Sequence, residues 1–471
     1  MNSSEQVVVR FPPSPTGRFH LGSARTALFN FYQAQRFKGK LIFRIEDTDR
    51  ARSEEKYVDD IKEGMSWLGM SFDEGPFYQS KRTEEYRAIL NNLIENEAVY
   101  KCTCSSERLT QIREQAMVQK LKPKYDKKCL KEGHEEGLPF VWRIKMPEQG
   151  EVSFVDKILG QITFDYKEFD DFIIWRSDDT PTYHLTVVAD DYLMGINQVI
   201  RGQDHINNTI KQIQIYKALK VNLPEYAHIP MVLGKDKSKL SKRHGAKPVL
   251  DYRTDGILKE ALLNMLIRLG WSHGDQELFS DTDIKDNFDI SKCQSSNAVF
   301  DDDKILFYNK HYIAQKNQDE LKTLVKEVCS YDWGELNEVC SQLFDELKIR
   351  ASTLWELKDI CELYFSKNKI KFNLENKKIR KTIEKLEEEN FDKLEQALNV
   401  ISDWADVDSL KQSIDGIVEK EFEGNFGQFG KPVRLALTGA LGGPDLALIF
   451  SAFGQQKVMS RIKALKAFIK S

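Results

Sequence analysis

An α/β fold built on a parallel sheet, followed by an all-helical C-terminal third, is what the sequence predicts, on three observations. A strand, a breaker-rich loop, a helix and a second strand follow one another within the first 46 residues. The same βαβ character returns between Tyr183 and Leu219. After about residue 310 strand patterning disappears and helical periodicity takes over. Val7-Val8-Val9 is a short apolar run that stops at Pro12-Pro13-Ser14-Pro15-Thr16-Gly17, a dense breaker cluster. From Gly22 to about Arg36, Leu28, Phe29, Tyr32 and Ala34 are spaced for one helix face, and Lys40–Glu46 reads as a buried strand. Such a unit is the nucleus of a doubly wound sheet. Residues 100–185 differ: a cysteine pair, a lysine-rich stretch and short alternating runs such as Val152-Ser153-Phe154-Val155 suggest an insertion between two halves of one sheet. Tyr183–Arg201 and a helix over Asn207–Leu219 resume the first pattern. In the last third, Asp319–Cys329, Leu354–Phe365, Ile379–Phe391 and Lys457–Ile469 carry helical spacing.

Composition excludes several classes. The 471 residues suggest about three domains. Lys+Arg 69 against Asp+Glu 73 leaves a net charge of −4, which excludes a basic, histone-like binder but leaves room for a local basic surface. No apolar stretch approaches the ~18 residues of a membrane span, and the mean hydropathy is −0.49. The first residues carry no basic and apolar leader pattern. Seven cysteines, an odd number scattered along the chain, form no disulfide framework. The expectation is a cytoplasmic protein with reduced thiols.

Two motifs carry chemistry. Pro13-Ser14-Pro15-Thr16-Gly17-Arg18-Phe19-His20-Leu21-Gly22-Ser23 joins the first strand to the first helix, at the edge where such sheets bind ligands. A helix N-terminus offers unpaired N–H groups to phosphate oxygens; Gly17 and Gly22 permit close approach, and His20 can donate to phosphate. Lys235-Asp236-Lys237-Ser238-Lys239-Leu240-Ser241-Lys242-Arg243 is a cationic loop far along the chain. Lysines there can follow a phosphate as charge moves in a transition state. Alone, the first motif reads equally as an ordinary Pro/Gly-rich turn, and the second reads first as a solvated surface loop.

Together, HLGS after the first strand and KLSKR after the second half of the sheet resemble the two signatures of class I aminoacyl-tRNA synthetases. RFPPSPTGRFHLGSARTALFNF, FRIEDTDR, DDYLMGINQVIRGQDHINNT and KLSKRHGA, in that order, resemble the bacterial glutamyl-tRNA synthetases over essentially the whole chain. The resemblance implies a Rossmann-type catalytic domain in two halves, 1–99 and 186–245. It further implies an inserted acceptor-stem-binding domain over 100–185, a stem-contact domain over 246–310 and an α-helical anticodon-binding region over 311–471. The implied activity is glutamate–tRNA ligation, with L-glutamate, ATP and tRNA-Glu as substrates, Mg²⁺ accompanying ATP, and a monomer that needs bound tRNA for productive activation. His20 and Gly22 would contact ATP, and Lys239 and Lys242 would stabilise the departing pyrophosphate. Arg10, Ser14, Glu46, Tyr183 and Arg201 match the glutamate-binding positions. The two arginines can each pair bidentately with a carboxylate, and Glu46 suits an ammonium group. Some members carry an Asn four residues after the tyrosine; here it is Val187. Asp47-Thr48-Asp49 reads as support for the following turn. A site pairing buried arginine with carboxylate needs no editing module.

Cys102-x-Cys104 and, after 24 residues, Cys129 have zinc-like spacing, with Tyr125 and His134 as candidates for a fourth, structural ligand. Lys131 stands where zinc-binding relatives carry His; Tyr125 resembles the arrangement of truncated paralogues. Cys293, Cys329, Cys340 and Cys361 read as core. For RNA, Lys367–Lys385 carries eight Lys/Arg against two Glu. The last helix holds Lys457, Arg461, Lys463, Lys466 and Lys470 with no acid between them. Arg350 falls near the position where members that discriminate tRNA-Glu from tRNA-Gln carry arginine. Two alternatives stand beside this expectation. A glutaminyl-tRNA synthetase would have a β-barrel C-terminal half, and a non-catalytic tRNA-binding module would be free to lose His20, Lys242, Arg10 or Arg201.

Overall fold

The computed structural model describes residues 6–49, 51–238, 247–366, 370 and 372–470. The chain divides into two compact units, one of residues 1–252 and 262–302, the other of 253–261 and 303–471. In the first unit the elements run β1 Val8–Phe11, α1 Leu21–Arg36, β2 Lys40–Ile45, α2 Glu55–Trp67, β3 Glu74–Tyr78, α3 Thr83–Glu95 and β4 Val99–Cys102. They continue as α4 Ser106–Val118, α5 Lys128–Lys131, β5 Val141–Ile144, β6 Glu151–Asp156, β7 Gly160–Asp165 and β8 Ile173–Trp175. Then come α6 Tyr183–Leu193, β9 Gln198–Gly202, α7 Ile206–Leu219 and β10 Glu225–Ile229.

β1 pairs parallel with β2, and β2 with β3, with Arg10 opposite Ile42. β10 pairs parallel with β9 and with β6, and β6 forms an antiparallel hairpin with β7. The Asn197 N–H donates to the Val8 carbonyl at 3.2 Å, which sets the start of β9 beside β1. The strands therefore lie in the order β3-β2-β1-β9-β10-β6-β7. β1 sits where the order reverses, the place at which parallel α/β sheets bind ligands beyond their carboxyl ends. The alternation in Glu151–Asp156 emerges as a strand with one face exposed and one buried. It belongs to the hairpin that returns from the 100–185 segment to the main sheet. The remaining strands of that segment, β4, β5 and β8, form an antiparallel sheet of their own. Ile42, Val152, Phe154, Val199 and Tyr226 from the strands pack with Leu90, Leu185, Val188, Ile213 and Tyr216 from the helices in one core. Burying each such side chain contributes about 1.5–3 kcal/mol.

Among the described residues the second unit builds a core of its own mainly from helices, with Leu343, Phe391, Leu394, Leu410, Val433 and Ile462 among its members. No strand follows Ala298–Val299 among the described residues. The helices expected over Asp319–Cys329 and Leu354–Phe365 appear as Gln318–Cys329 and Leu354–Phe365. The expected helix Ile379–Phe391 does not: Lys377–Ile383 and Glu388–Asn399 are separate. The second starts afresh with the Glu387 and Asn390 side chains each accepting from the other's backbone N–H, which stops one helix running through. The last helix, Leu446–Lys470, is interrupted at Gly454, whose φ of 71° with ψ of 162° lies outside helical space and suits glycine. No helix among the described residues is long and apolar enough to cross a membrane.

Candidate active site

A cavity of about 690 Å³ opens at the carboxyl ends of β1 and β9 and along the start of α1. Arg10, Ser14, His20, Gly22, Glu46, Tyr183 and Arg201 all line it, so side chains as far apart in sequence as Arg10 and Arg201 converge on one space. Val187 lines it too, one helical turn from Tyr183. Lys239 and Lys242 lie outside the described residues.

The two arginines of the cavity are held differently. Arg10 is buried and its Nε–H meets Asp191 Oδ1 and Oδ2 at 3.2 and 3.3 Å, with Nη1 on the Ile200 carbonyl at 3.4 Å. Its charge is thus countered by a carboxylate. Arg201, also buried, donates from Nε to His228 Nε2 (3.1 Å), from Nη1 to Gln212 Oε1 (2.8 Å) and from Nη2 to Thr209 Oγ1 (2.7 Å). These three partners are uncharged when His228 is neutral. Burial, and then the nearby Arg10 charge, lower the Arg201 pKa from its ordinary value, as expected for a cation without a counterion. Three of its five N–H groups are engaged; one on each terminal nitrogen remains, the fork a carboxylate fits.

His228 stays neutral: burial lowers its pKa, Asp156 pulls the other way, and Arg201 pushes it down again. Its Nδ1 lies 2.7 Å from Asp156 Oδ2, and both groups are buried. The heavy-atom geometry assigns the ring proton to Nδ1, leaving the Nε2 lone pair for Arg201.

Beneath the cavity, Arg44 is fully buried among three carboxylates: Asp191 Oδ1 at 2.8 Å, Glu46 Oε1 at 3.2 Å and Asp190 Oδ2 at 3.6 Å. Asp190 also accepts from Arg82 Nε, Tyr86 Oη and Gln79 Nε2 at 2.8–3.0 Å. Burial raises the Glu46 pKa, against the pull of Arg44 and Arg10. Burial also opposes ionisation of Asp191, but Arg10 and Arg44 outweigh it and leave that pKa lowered. Sequence reasoning missed Arg44, Asp190, Asp191, Asp156, Thr209, Gln212 and His228. Arg44 inside the apolar run KLIFRI and the paired aspartates after VVA were the available signals, since buried charges have to be paired. Nothing local pointed to Asp156 or His228.

His20 is the N-cap of α1; its ring accepts from the Ser23 N–H at 3.3 Å and lies 3.0 Å from Ser23 Oγ. A Cβ on Gly22 would come within 3.3 Å of that ring, so a side chain there would crowd the cap. Burial raises the Tyr183 pKa to about 12, so its hydroxyl keeps its proton and can donate. Ser14 is exposed at the cavity rim. Asp47 accepts from Ser80 N and Oγ, and Asp49 from Arg52 Nε at 2.7 Å, so both brace turns.

Cys102, Cys104 and Cys129 bring their sulfurs within 4.8 Å of one another. Tyr125 Oη lies 3.3 Å from Cys102 Sγ and 3.5 Å from Cys104 Sγ, and the Cys129 N–H donates to it at 3.1 Å. Burial opposes ionisation of Cys129, but the Tyr125 hydrogen bond, the Thr103 backbone and the neighbouring thiols bring its pKa down to about 7. Three soft sulfurs and a phenol oxygen in this arrangement fit a tetrahedral zinc ion. His134 is exposed and outside the cluster. Cys293, Cys329 and Cys361 are buried, and Cys340 is half-buried on its helix.

In the helical unit the basic residues of the last helix do not form the free face their sequence suggests. Lys457 Nζ donates to the Tyr364 carbonyl at 3.0 Å, and Arg461, buried, donates to the carbonyls of Leu437 and Leu363. Lys466 pairs with Asp392, and Lys470 with Glu388. Lys463 is exposed. Acids absent from the helix itself arrive from Glu388–Asn399, which local sequence cannot show. Arg350, at the end of helix Glu338–Lys348, is exposed, with its Nε on the Glu346 carbonyl at 3.2 Å.

Residues 6–307 match the family model "tRNA synthetases class I (E and Q), catalytic domain", and residues 310–466 match "Anticodon binding domain". The glutamate–tRNA ligase of Syntrophotalea carbinolica is 43% identical over 462 residues, 97% of each chain. That of Thermodesulfovibrio yellowstonii is 41% identical over 469 residues, covering 97% of this chain and 98% of the relative. A crystal structure of a glutamate tRNA ligase from Elizabethkingia meningosepticum, in complex with its amino acid, superposes with a TM-score of 0.88 at 27% identity, covering 99% of this chain and 100% of that one.

Proposed function

The chain belongs to the glutamate–tRNA ligases of the class I synthetases, and from that premise we propose how its own residues carry the reaction. The enzyme activates L-glutamate with ATP: the α-carboxylate attacks the α-phosphate, pyrophosphate leaves, and glutamyl-adenylate forms. The glutamyl group then passes to the 3′-terminal ribose of tRNA-Glu and AMP leaves.

One observation carries the assignment of the glutamate site. Arg201 is a buried cation whose partners are all neutral and whose two spare N–H groups belong to a side chain lining the cavity. It receives the side-chain carboxylate of glutamate. Arg10 stands by for the second carboxylate, Glu46 takes the ammonium group, and Tyr183 and Ser14 complete the enclosure. Glutamine would leave the Arg201 charge uncompensated in a buried place, which is a large penalty. His20 and the backbone at Gly22 take ATP, with Mg²⁺ on its phosphates, and Lys239 and Lys242 take the pyrophosphate. Zinc, held by Cys102, Cys104, Cys129 and Tyr125, would tie β4 to the following loop in a structural role.

In this reading residues 1–99 and 186–245 form the catalytic domain and 100–185 the acceptor-stem-binding insertion, anchored by its β6–β7 hairpin. Residues 246–310 contact the stem and 311–471 read the anticodon, where Arg350 favours tRNA-Glu over tRNA-Gln. The enzyme works as a cytoplasmic monomer. ATP–pyrophosphate exchange with glutamate, run without tRNA, with tRNA-Glu and with tRNA-Gln, tests the core of this. Exchange with tRNA-Glu alone is the expected result. Exchange with both tRNAs removes the role of Arg350, and exchange with neither, from protein that still binds RNA, removes the catalytic reading. Elemental analysis finding one zinc per chain, lost on Cys129→Ala, tests the metal.

A further inference from the structure

We infer that Asp156, acting through His228, is a positioning residue that fixes the Arg201 guanidinium in the orientation a substrate carboxylate requires. The inference rests on the reading of Arg201 as the carboxylate fork. Three neighbouring strands build the arrangement. Arg201 on β9 is directly opposite His228 on β10, and Asp156 ends β6 on the other side, opposite Tyr226. Asp156 Oδ2 lies 2.7 Å from His228 Nδ1, and Arg201 Nε lies 3.1 Å from His228 Nε2. Asp156 is 2% exposed and His228 0%, so both groups are withdrawn from bulk solvent.

The chemistry gives the order of dependence. A carboxylate at Nδ1 can only accept, so the imidazole proton must sit there, and Nε2 must present its lone pair to Arg201. With an amide in place of the carboxylate, the proton can move to Nε2. That would set two donors face to face; the Nε2 proton would turn to Thr209 Oγ1, 3.1 Å away, and Arg201 Nε would lose its acceptor. Gln212 and Thr209 hold the two terminal nitrogens, but only His228 holds Nε. Asp156 also accepts from the N–H groups of Ile158 and Leu159, both at 2.9 Å, and from the His228 N–H at 3.0 Å. The residue that braces the hairpin turn therefore also sets the arginine.

The test is a kinetic series in aminoacylation of tRNA-Glu: Asp156→Asn, His228→Leu, His228→Gln and Arg201→Gln, with KM for glutamate, KM for ATP, and thermal unfolding measured for each. Asp156→Asn and His228→Leu should raise the glutamate KM about tenfold, the effect of one hydrogen bond to a charged group, while the ATP KM changes by less than about twofold. His228→Gln, whose side-chain carbonyl can accept from Arg201, should recover most of the loss. If Arg201→Gln raises the glutamate KM and the Asp156 and His228 variants do not, the positioning role is wrong and the fork stands. If Arg201→Gln leaves that KM unchanged, the fork reading fails, and this inference with it. Equal rises in both KM values with a lowered unfolding temperature would mean general damage and would also overturn the role.

Discussion

Cationic side chains in the two units differ in what their charge is available for. In the catalytic unit Arg201 is buried with neutral partners and faces a cavity. In the helical unit Lys457 and Arg461 end on backbone carbonyls, while Lys466 and Lys470 end on carboxylates. A run of lysines and arginines on a helix is therefore no measure of free positive surface, whereas one buried arginine denied a counterion beside a cavity is a candidate ligand site. The difference arises from tertiary neighbours in both cases.

The largest effect is expected from Arg201→Gln, which should lower kcat/KM for glutamate by about two powers of ten or more, since a buried charge pair is lost. Steady-state aminoacylation checks it. Arg461→Met should destabilise the helical unit by about 2 kcal/mol, because two helix-end carbonyls lose a charged donor, and should leave the glutamate KM alone; denaturant unfolding and the same assay check both. Acid should weaken the catalytic unit first. Burial, then Lys211, lower the His184 pKa from 6.5 to about 3, so below pH 6.5 the unfolded chain binds a proton that the folded unit refuses. Stability present above pH 6.5 is thus lost as pH falls towards 3. Hydrogen exchange at pH 7 and pH 5 should show faster opening around α6 at the lower pH, and His184→Phe should reduce that difference. The smallest effect belongs to Lys466→Met, whose ion pairs reach half-exposed acids. It should cost less than about 1 kcal/mol and leave tRNA affinity unchanged. A weakened tRNA complex would show that this lysine is available after all.

Much of the fold was legible because its signals are local. The breaker cluster at Pro12–Gly17 and the apolar spacing from Leu28 to Ala34 mark β1, the loop and α1. The C-x-C spacing anticipated the sulfur cluster, and the positions expected at the cavity do line it, apart from Lys239 and Lys242, which lie outside the described residues. What stayed hidden depends on partners distant in sequence. The pairing of β6 with β10 joins residues about seventy apart, so Asp156 looked like any strand end. His228, in the unremarkable stretch Glu225–Ile229, gave no sign of its neighbours on β9 and β6. The break between Lys377–Ile383 and Glu388–Asn399 was missed because apolar spacing continues through it, although the reciprocal cap at Glu387 and Asn390 does not.

The most direct test of the central claim is a glutamate titration of ATP–pyrophosphate exchange, with tRNA-Glu present, on Arg201→Gln and Arg461→Met side by side with the unaltered enzyme. Arg201→Gln should raise the glutamate KM strongly and Arg461→Met should not, although both remove a buried arginine. A rise in both, or in neither, would contradict the claim that one of these charges is held for the substrate and the other for the fold.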